Sequence, residues 1–333
     1  MREVLLFEKQ DLRIVDSPIP ECGPNDVLVK IKACGICPTD LRKYHLGKAG
    51  SPLIHLPMNL GHEWTGEVIE AGVNVDYPSV GMRIRGIDFC GYAEYTSINI
   101  PKMFKKLRNW GFEGSLEDYI VELPDNVSYE EGTFVENITI SMHALIDQAL
   151  GGVGKKVVII GAGQMGLTQV WIGKLMGVTV IVTDLVDWRL ELAKKLGADY
   201  TINIAEEEPV EAVKRITKGK MADAAIITVG IPSAIYQGLN IIGNSGRAVL
   251  FGGASLDTTI TFNPNILHYG DKALVGCSGG PARGRLAIEL LASKNFPVQE
   301  LYSHTFKLEE LPEAFKKITG GKLEKYLKGM VTV

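Results

Sequence analysis

The stretch "KKVVIIGAGQMG", residues 155–166, limits what this chain can fold into more than any other. The apolar run 157–160 passes directly into Gly161, Gly163 and Gly166, spaced G-x-G-x-x-G. A short continuous apolar run bounded by glycine predicts a strand buried on both faces. A helical pattern follows over 164–177, so the glycines sit in a strand-to-helix turn. There they permit a tight turn, close approach of backbone to a pyrophosphate, and close packing of helix on strand. The helix N-terminus offers N–H donors and a positive dipole end to the same anion. Asp184 closes the next strand, 23 positions after Gly161. A carboxylate there accepts hydrogen bonds from ribose hydroxyls, and it repels a 2′-phosphate, which favours NAD over NADP. Arg189 is close enough in sequence to pair with such a phosphate instead.

The alternation continues. Strands are predicted at "VTVIVTD", "YTIN", "DAAIITV" and "GRAVLFGG", with helices over 187–197, 207–218 and 233–242. Strands alternating with helices predict an α/β fold with a doubly wound parallel sheet. Residues 1 to about 120 have another texture, of short β segments between Gly- and Pro-rich turns. "DVLVKIKACGI" alternates as a half-buried strand does, "GEVIEAGVNV" is a second run, and "GSLEDYIVEL" is read as a third. After about residue 280 come two helical stretches and the strand-like "KGMVTV". There is no internal repeat.

With 333 residues, 46% hydrophobic and 22% charged, the chain has material for roughly two domains. A net charge of −4 with no basic field argues against nucleic acid and anionic membranes as partners. The uncharged stretch 224–246 holds Pro232 and several glycines, a poor membrane span, and the charged N-terminus lacks the apolar run of a signal peptide. Five scattered cysteines do not suggest a disulfide framework. A cytoplasmic protein is expected.

The cysteine pair of "CGICPTDL" and the histidine of "GHEWTGEVIEAG" stand beside this dinucleotide-binding half. Together with "FVENITISMHA", "VVIIGAGQMG", "TDLVDWRLELAKKLGAD" and "LEELPEAF", they make the chain resemble, over nearly its whole length, the zinc-dependent medium-chain alcohol and polyol dehydrogenases. The resemblance implies a GroES-like β-rich catalytic domain in residues 1–137, a Rossmann domain in 138–278, and a return of 279–333 to the first. It places the active site in the cleft between the domains, with Gly252 of "FGG" lining the nicotinamide end. It makes Cys37 and His62 zinc ligands and Glu63 and Glu136 the acids that compete for the remaining places. Thr39 becomes the relay hydroxyl and Asp40 the carboxylate that orients His62. Cys34 matches no ligand and is expected to be a small buried residue.

Two positions depart from the family pattern. Arg42 stands where many relatives carry the histidine that ends a proton relay, and arginine cannot act as a base. His45 or water must take that proton. Pro38 replaces a residue that often helps bind pyrophosphate, and Lys328 matches a basic residue with that role. A structural zinc site is expected to be missing. Its four cysteine places fall on Cys90, Ala93, Thr96 and Phe104, so that lobe must be held by packing, and one catalytic zinc per chain is expected.

The activity implied is hydride transfer between NAD(H) and a secondary alcohol or carbonyl compound, a polyol or sugar first. Aminoalcohols and simple secondary alcohols are the alternatives. A zinc-free reductase of activated double bonds would have no use for Cys37, His62 and Glu63, and a non-catalytic NAD-binding protein would have none for Thr39. The resemblance also implies a homodimer or homotetramer.

Overall fold

The strand Lys156–Ile160 is buried except at its first residue, as a central strand of a parallel sheet covered on both faces is. A computed structural model describes residues 1–47, 55–86, 90–109, 114–279 and 283–333. The chain divides into two compact units, Met1–Glu136 with Pro281–Val333, and Asn137–Gly280.

In the second unit the described residues form a six-stranded sheet. Its spatial order is Tyr200–Asn203, Thr179–Asp184, Lys156–Ile160, Ala222–Ile227, Ile242–Leu250 and Ala273–Gly276, every pair parallel. This is the doubly wound sheet that the strand–helix alternation predicts. Lys156–Ile160 lies between the two directions of winding, so its carboxyl end is the switch point where such sheets bind ligands. Gly161 and Gly166 are needed for the turn there. Gly161 has φ +101°, and a Cβ on Gly166 would lie 2.0 Å from the Gly161 carbonyl oxygen. Gly252 is fixed the same way, since its Cβ would lie 2.4 Å from the Thr228 carbonyl oxygen.

In the first unit the strand Asp26–Gly35 is the hub. It pairs antiparallel with Glu63–Ala71, Tyr95–Asn99 and Gly329–Thr332. The alternating pattern predicts a half-buried strand, yet only Lys30 of its ten residues is exposed, so side chains on both faces of the strand are covered. The sheet continues through Arg83–Gly86 to Val121–Glu122 on one side and to His304–Lys307 on the other. The closing segment returns here as Gly329–Thr332, which sets Met330 opposite Gly35. Trp64, Tyr44, Tyr92 and Phe315 are its largest fully buried aromatic side chains together with Phe134.

Two sequence expectations are corrected. "GSLEDYIVEL" is no continuous strand. Leu116–Asp118 is a 3₁₀ turn opened by Ser115 and Asp118, and only Val121–Glu122 pairs. The local Ser–Asp hydrogen bond competes with the ladder. The segment 90–104, read as a lobe held by packing, is also held by pairing. Ala93 bridges Glu3, Tyr95–Asn99 lies on the hub strand, and the helix Ile100–Asn109 buries Met103 and Leu107.

Gly166→Ala tests the switch-point turn. The clash is with backbone and cannot be relieved by a side-chain shift, so a loss of about 1–3 kcal/mol, the usual cost of overpacking, is expected. Calorimetry that finds an unchanged melting temperature would contradict this packing.

Candidate functional site

Cys37 lies just beyond the hub strand, at the N-cap of the helix Pro38–Leu46. Pro38 is the first helical residue, where its fixed φ fits and its missing N–H costs nothing. Asp40, at the third position, turns back so that Oδ2 accepts the Cys37 N–H at 3.3 Å. Its Oδ1 accepts the Gly61 N–H at 3.2 Å and lies 3.3 Å from His62 Nδ1. The Tyr92 hydroxyl donates to Oδ2 at 3.1 Å. With Nδ1 facing this carboxylate, Nε2 of His62 points the other way, to within 3.8 Å of Glu136 Oε1. Glu63 begins the strand Glu63–Ala71 opposite Gly35. Ligand atoms of Cys37, His62 and Glu63 all lie within 4.8 Å of one another, and no other such trio occurs among the described residues.

Sulfur, imidazole nitrogen and carboxylate oxygen at this spacing are a zinc donor set, and a carboxylate behind the histidine is its usual support. The charges respond to their crowding. Burial opposes the charged form of His62, but Asp40, Cys37 and Glu136 outweigh it and hold the imidazole well above its ordinary pKa. Burial raises the Cys37 thiol despite the His62 charge. Asp40 is wholly buried, yet His62 and the Gly61 N–H keep its carboxyl below the usual value. Each of the two glutamates has a cation. Lys328 Nζ sits on Glu63 Oε2, both 1% exposed. Arg85 donates to Glu136 Oε2 at 2.5 Å.

Cys37, His62 and Glu63 are thus brought together, with Glu136 beside His62. Thr39 is exposed at the helix start. His45 is exposed too, its Nδ1 3.2 Å from Gln10 Nε2 rather than in the cluster. Lys328, read as a pyrophosphate ligand, is 2% exposed with its ammonium on Glu63. A Cβ on Gly35 would meet both members of that pair, so glycine leaves the room they occupy. Cys34 is fully buried, and its sulfur stands where a Cβ on Gly61 or Gly91 would fall. Sequence reasoning missed Arg85 and Tyr92. The one available signal for Arg85 was "RIRG", where two arginines share a strand face and an isoleucine takes the other.

In the second unit Asp184 is tied to the glycine turn. Its Oδ2 accepts the Ala162 N–H at 2.6 Å and its Oδ1 the Val186 N–H at 2.9 Å. Each oxygen keeps a lone pair for a ribose hydroxyl. Arg189 lies over the Trp188 ring, 5.3 Å from its centroid. Gly163 differs from its two partners. It has an ordinary φ of −72°, and a Cβ there would meet nothing within 4 Å. The protein does not need glycine at that point. A pyrophosphate seated there would, so the turn fits a dinucleotide.

Two families match the chain. An alcohol dehydrogenase GroES-like domain covers residues 23–129, and a zinc-binding dehydrogenase covers residues 165–293. Sorbitol dehydrogenase of Gallus gallus is 32% identical over 338 residues, 96% of this chain and 93% of that one. Sorbitol dehydrogenase of Bacillus subtilis (strain 168) is 31% identical over 331 residues, 95% and 93% of the two chains. Among solved structures, a zinc-binding dehydrogenase of Sinorhizobium meliloti 1021 bound to NADP has a TM-score of 0.86 at 24% identity, covering 100% of this chain and 99% of that one.

Two substitutions separate support from contact. Asp40→Asn keeps the volume and loses the charge behind His62, so zinc affinity should fall about 10–100-fold in a competition with a chelating dye. Wild-type affinity would remove Asp40 from that role. Gly163→Ala should melt like the wild type yet bind dinucleotide more weakly in a calorimetric titration. Unchanged affinity would mean that no phosphate approaches this point.

Proposed function

Because this chain belongs to the zinc-dependent medium-chain alcohol and polyol dehydrogenases, we propose that it oxidises a secondary hydroxyl of a polyol or sugar with NAD, and reduces the carbonyl product in reverse. The observation that carries this reading is the Cys37–His62–Glu63 trio backed by Asp40, in a chain whose other unit bears a dinucleotide turn with an unneeded glycine. Cys37, His62 and one glutamate would hold the ion. Bound zinc would act as a Lewis acid, making a substrate hydroxyl more acidic or a carbonyl more electrophilic for hydride transfer to or from the nicotinamide.

The chain's own groups do the rest. Asp40 holds His62 so that Nε2 faces the metal position. Glu63, fixed by Lys328, and Glu136, fixed by Arg85, present one carboxylate each. Thr39, exposed at the helix start, would take the hydroxyl proton and pass it on toward the cofactor ribose. Arg42 cannot continue the relay, so exposed His45 or water takes the proton to bulk. Gly161, Gly163 and Gly166 seat the pyrophosphate, and Asp184 takes the ribose hydroxyls and disfavours a 2′-phosphate. Lys328 would reach pyrophosphate only by leaving Glu63, so in the ion-paired state the glycine turn carries that anion.

The substrate is assigned to polyols because sorbitol dehydrogenases are among the sequence relatives. A cytoplasmic homo-oligomer is the state this reading carries. Among the described residues no helix is long and apolar enough to cross a membrane.

The test is purified protein assayed with NAD and NADP against polyols, sugars, simple secondary alcohols and 3-hydroxy amino acids. Polyol oxidation with a clear NAD advantage is expected, lost on chelation and restored by zinc, with about one zinc per chain by metal analysis. Activity that survives thorough chelation, or comparable efficiency with NADP, would overturn the corresponding part.

A further inference from the structure

Arg85 has no place in the ligand set, yet it is the buried cation nearest to Glu136. It lies on the strand Arg83–Gly86, opposite Thr65 of the neighbouring strand. Side chains alternate along a strand, so Arg85 shares a face with Thr65 and with Glu63 two residues away, while Ile84 turns into the core. The guanidinium is 4% exposed, and its Nε–H is buried without a hydrogen-bond partner. A buried cation with an unspent donor is a poor device for stability. An apolar side chain of that volume packs as well or better, because no desolvation has to be offset. What Arg85 does have is one strong, charge-assisted bond, from its terminal nitrogen to Glu136 Oε2 at 2.5 Å. The other oxygen, Oε1, is left on the side of His62 Nε2, 3.8 Å away.

Glu63 and Glu136 therefore differ in kind. Glu63 and Lys328 are both 1% exposed, so that pair is sealed. Glu136 is 20% exposed beside a 4% exposed arginine, so it is the less enclosed of the two glutamates. We propose that Arg85 is a positioning residue that restrains Glu136 by one oxygen, so that a single oxygen is presented at the metal position and the carboxylate does not close on the ion with both. The inference rests on the metal-site reading above. Released from Arg85, Glu136 would swing onto the metal, bind it more tightly, and occupy the place that substrate needs. Tighter metal binding with slower turnover is a pairing that simple loss of structure does not produce.

The experiment uses the full chain as Arg85→Met, Arg85→Lys, Glu136→Gln and the Arg85→Met/Glu136→Gln double variant. Zinc affinity is read by dye competition without substrate, the visible spectrum is read on cobalt-substituted protein, and kcat and KM are read separately. Partners of metal ligands act on a scale of roughly 10–100-fold. In Arg85→Met, zinc affinity should rise by roughly 10-fold, the cobalt spectrum should shift, and kcat should fall by roughly 10-fold. In the Glu136→Gln background Arg85→Met should add little to any of these, since the two act through one contact. Arg85→Lys keeps the charge without the planar fork. It should return zinc affinity to within about 3-fold of wild type while kcat stays depressed. Should Arg85→Met not fold, the lysine variant decides, and a kcat and cobalt spectrum equal to wild type would overturn the proposal. So would an Arg85→Met protein whose affinity and melting temperature fall together, or one unchanged in all three readings. A wild-type protein that binds no zinc would instead overturn the metal-site reading itself.

Discussion

The site depends on one buried carboxylate. Asp40 is fully buried and takes hydrogen bonds from Cys37 N–H, Gly61 N–H and the Tyr92 hydroxyl while facing His62 Nδ1. These partners come from three separate segments of chain. A buried charge is tolerated only when it is paired and hydrogen-bonded, so Asp40 binds the segments to each other through its own requirement for partners. The helix Pro38–Leu46 aims Asp40, and Asp40 in turn fixes the turn that carries His62. Cys37 and His62 are thus both placed by the one carboxylate between them.

The sheet supplies the rest of the geometry. Gly35, Glu63 and Met330 are neighbours by register, since Gly35 pairs with both of the others. The closing strand therefore delivers Lys328 to Glu63 from the far end of the sequence. A single-residue slip would turn Glu63 away from this face, so the pairing that forms the core also fixes which acid faces the ligands. Function and fold share the same hydrogen bonds here, and a defect in one should be felt in the other.

How legible this was depended on the range of the interaction. The dinucleotide turn was readable because strand, glycines and acid lie within thirty residues and obey local rules of period and turn chemistry. The clustering of Cys37, His62 and Glu63, with Asp40 behind His62, was anticipated through family resemblance. The partners Arg85 and Lys328 were not. Their contacts come from register across strands and from a return of the chain over 265 positions, of which local sequence shows at most the strand face shared by Arg83 and Arg85. "GSLEDYIVEL" failed for the opposite reason, since a Ser–Asp bond three residues long overrode a plausible β pattern. Lys328 shows the limit of resemblance, which proposes a role for a basic residue without reporting which carboxylate it meets.

The charges explain why so many acids are gathered. Cys37 as thiolate, Asp40, Glu63 and Glu136 bring four negative charges, and Lys328 and Arg85 bring two positive. A divalent ion would bring the sum to zero. Without an ion, protons on His62 and Cys37 do part of that work, which is the direction in which both groups are displaced. Metal entry and proton loss are therefore opposite sides of one balance. Either cation could be removed and the sum would shift by one, but not with the same result. Lys328 is sealed with its glutamate, so its loss leaves a buried charge with nowhere to go. Arg85 is paired with a glutamate that has partial access to solvent, so its loss leaves a charge that solvent can reach. The two pairs thus differ in enclosure, although both glutamates face the same cluster.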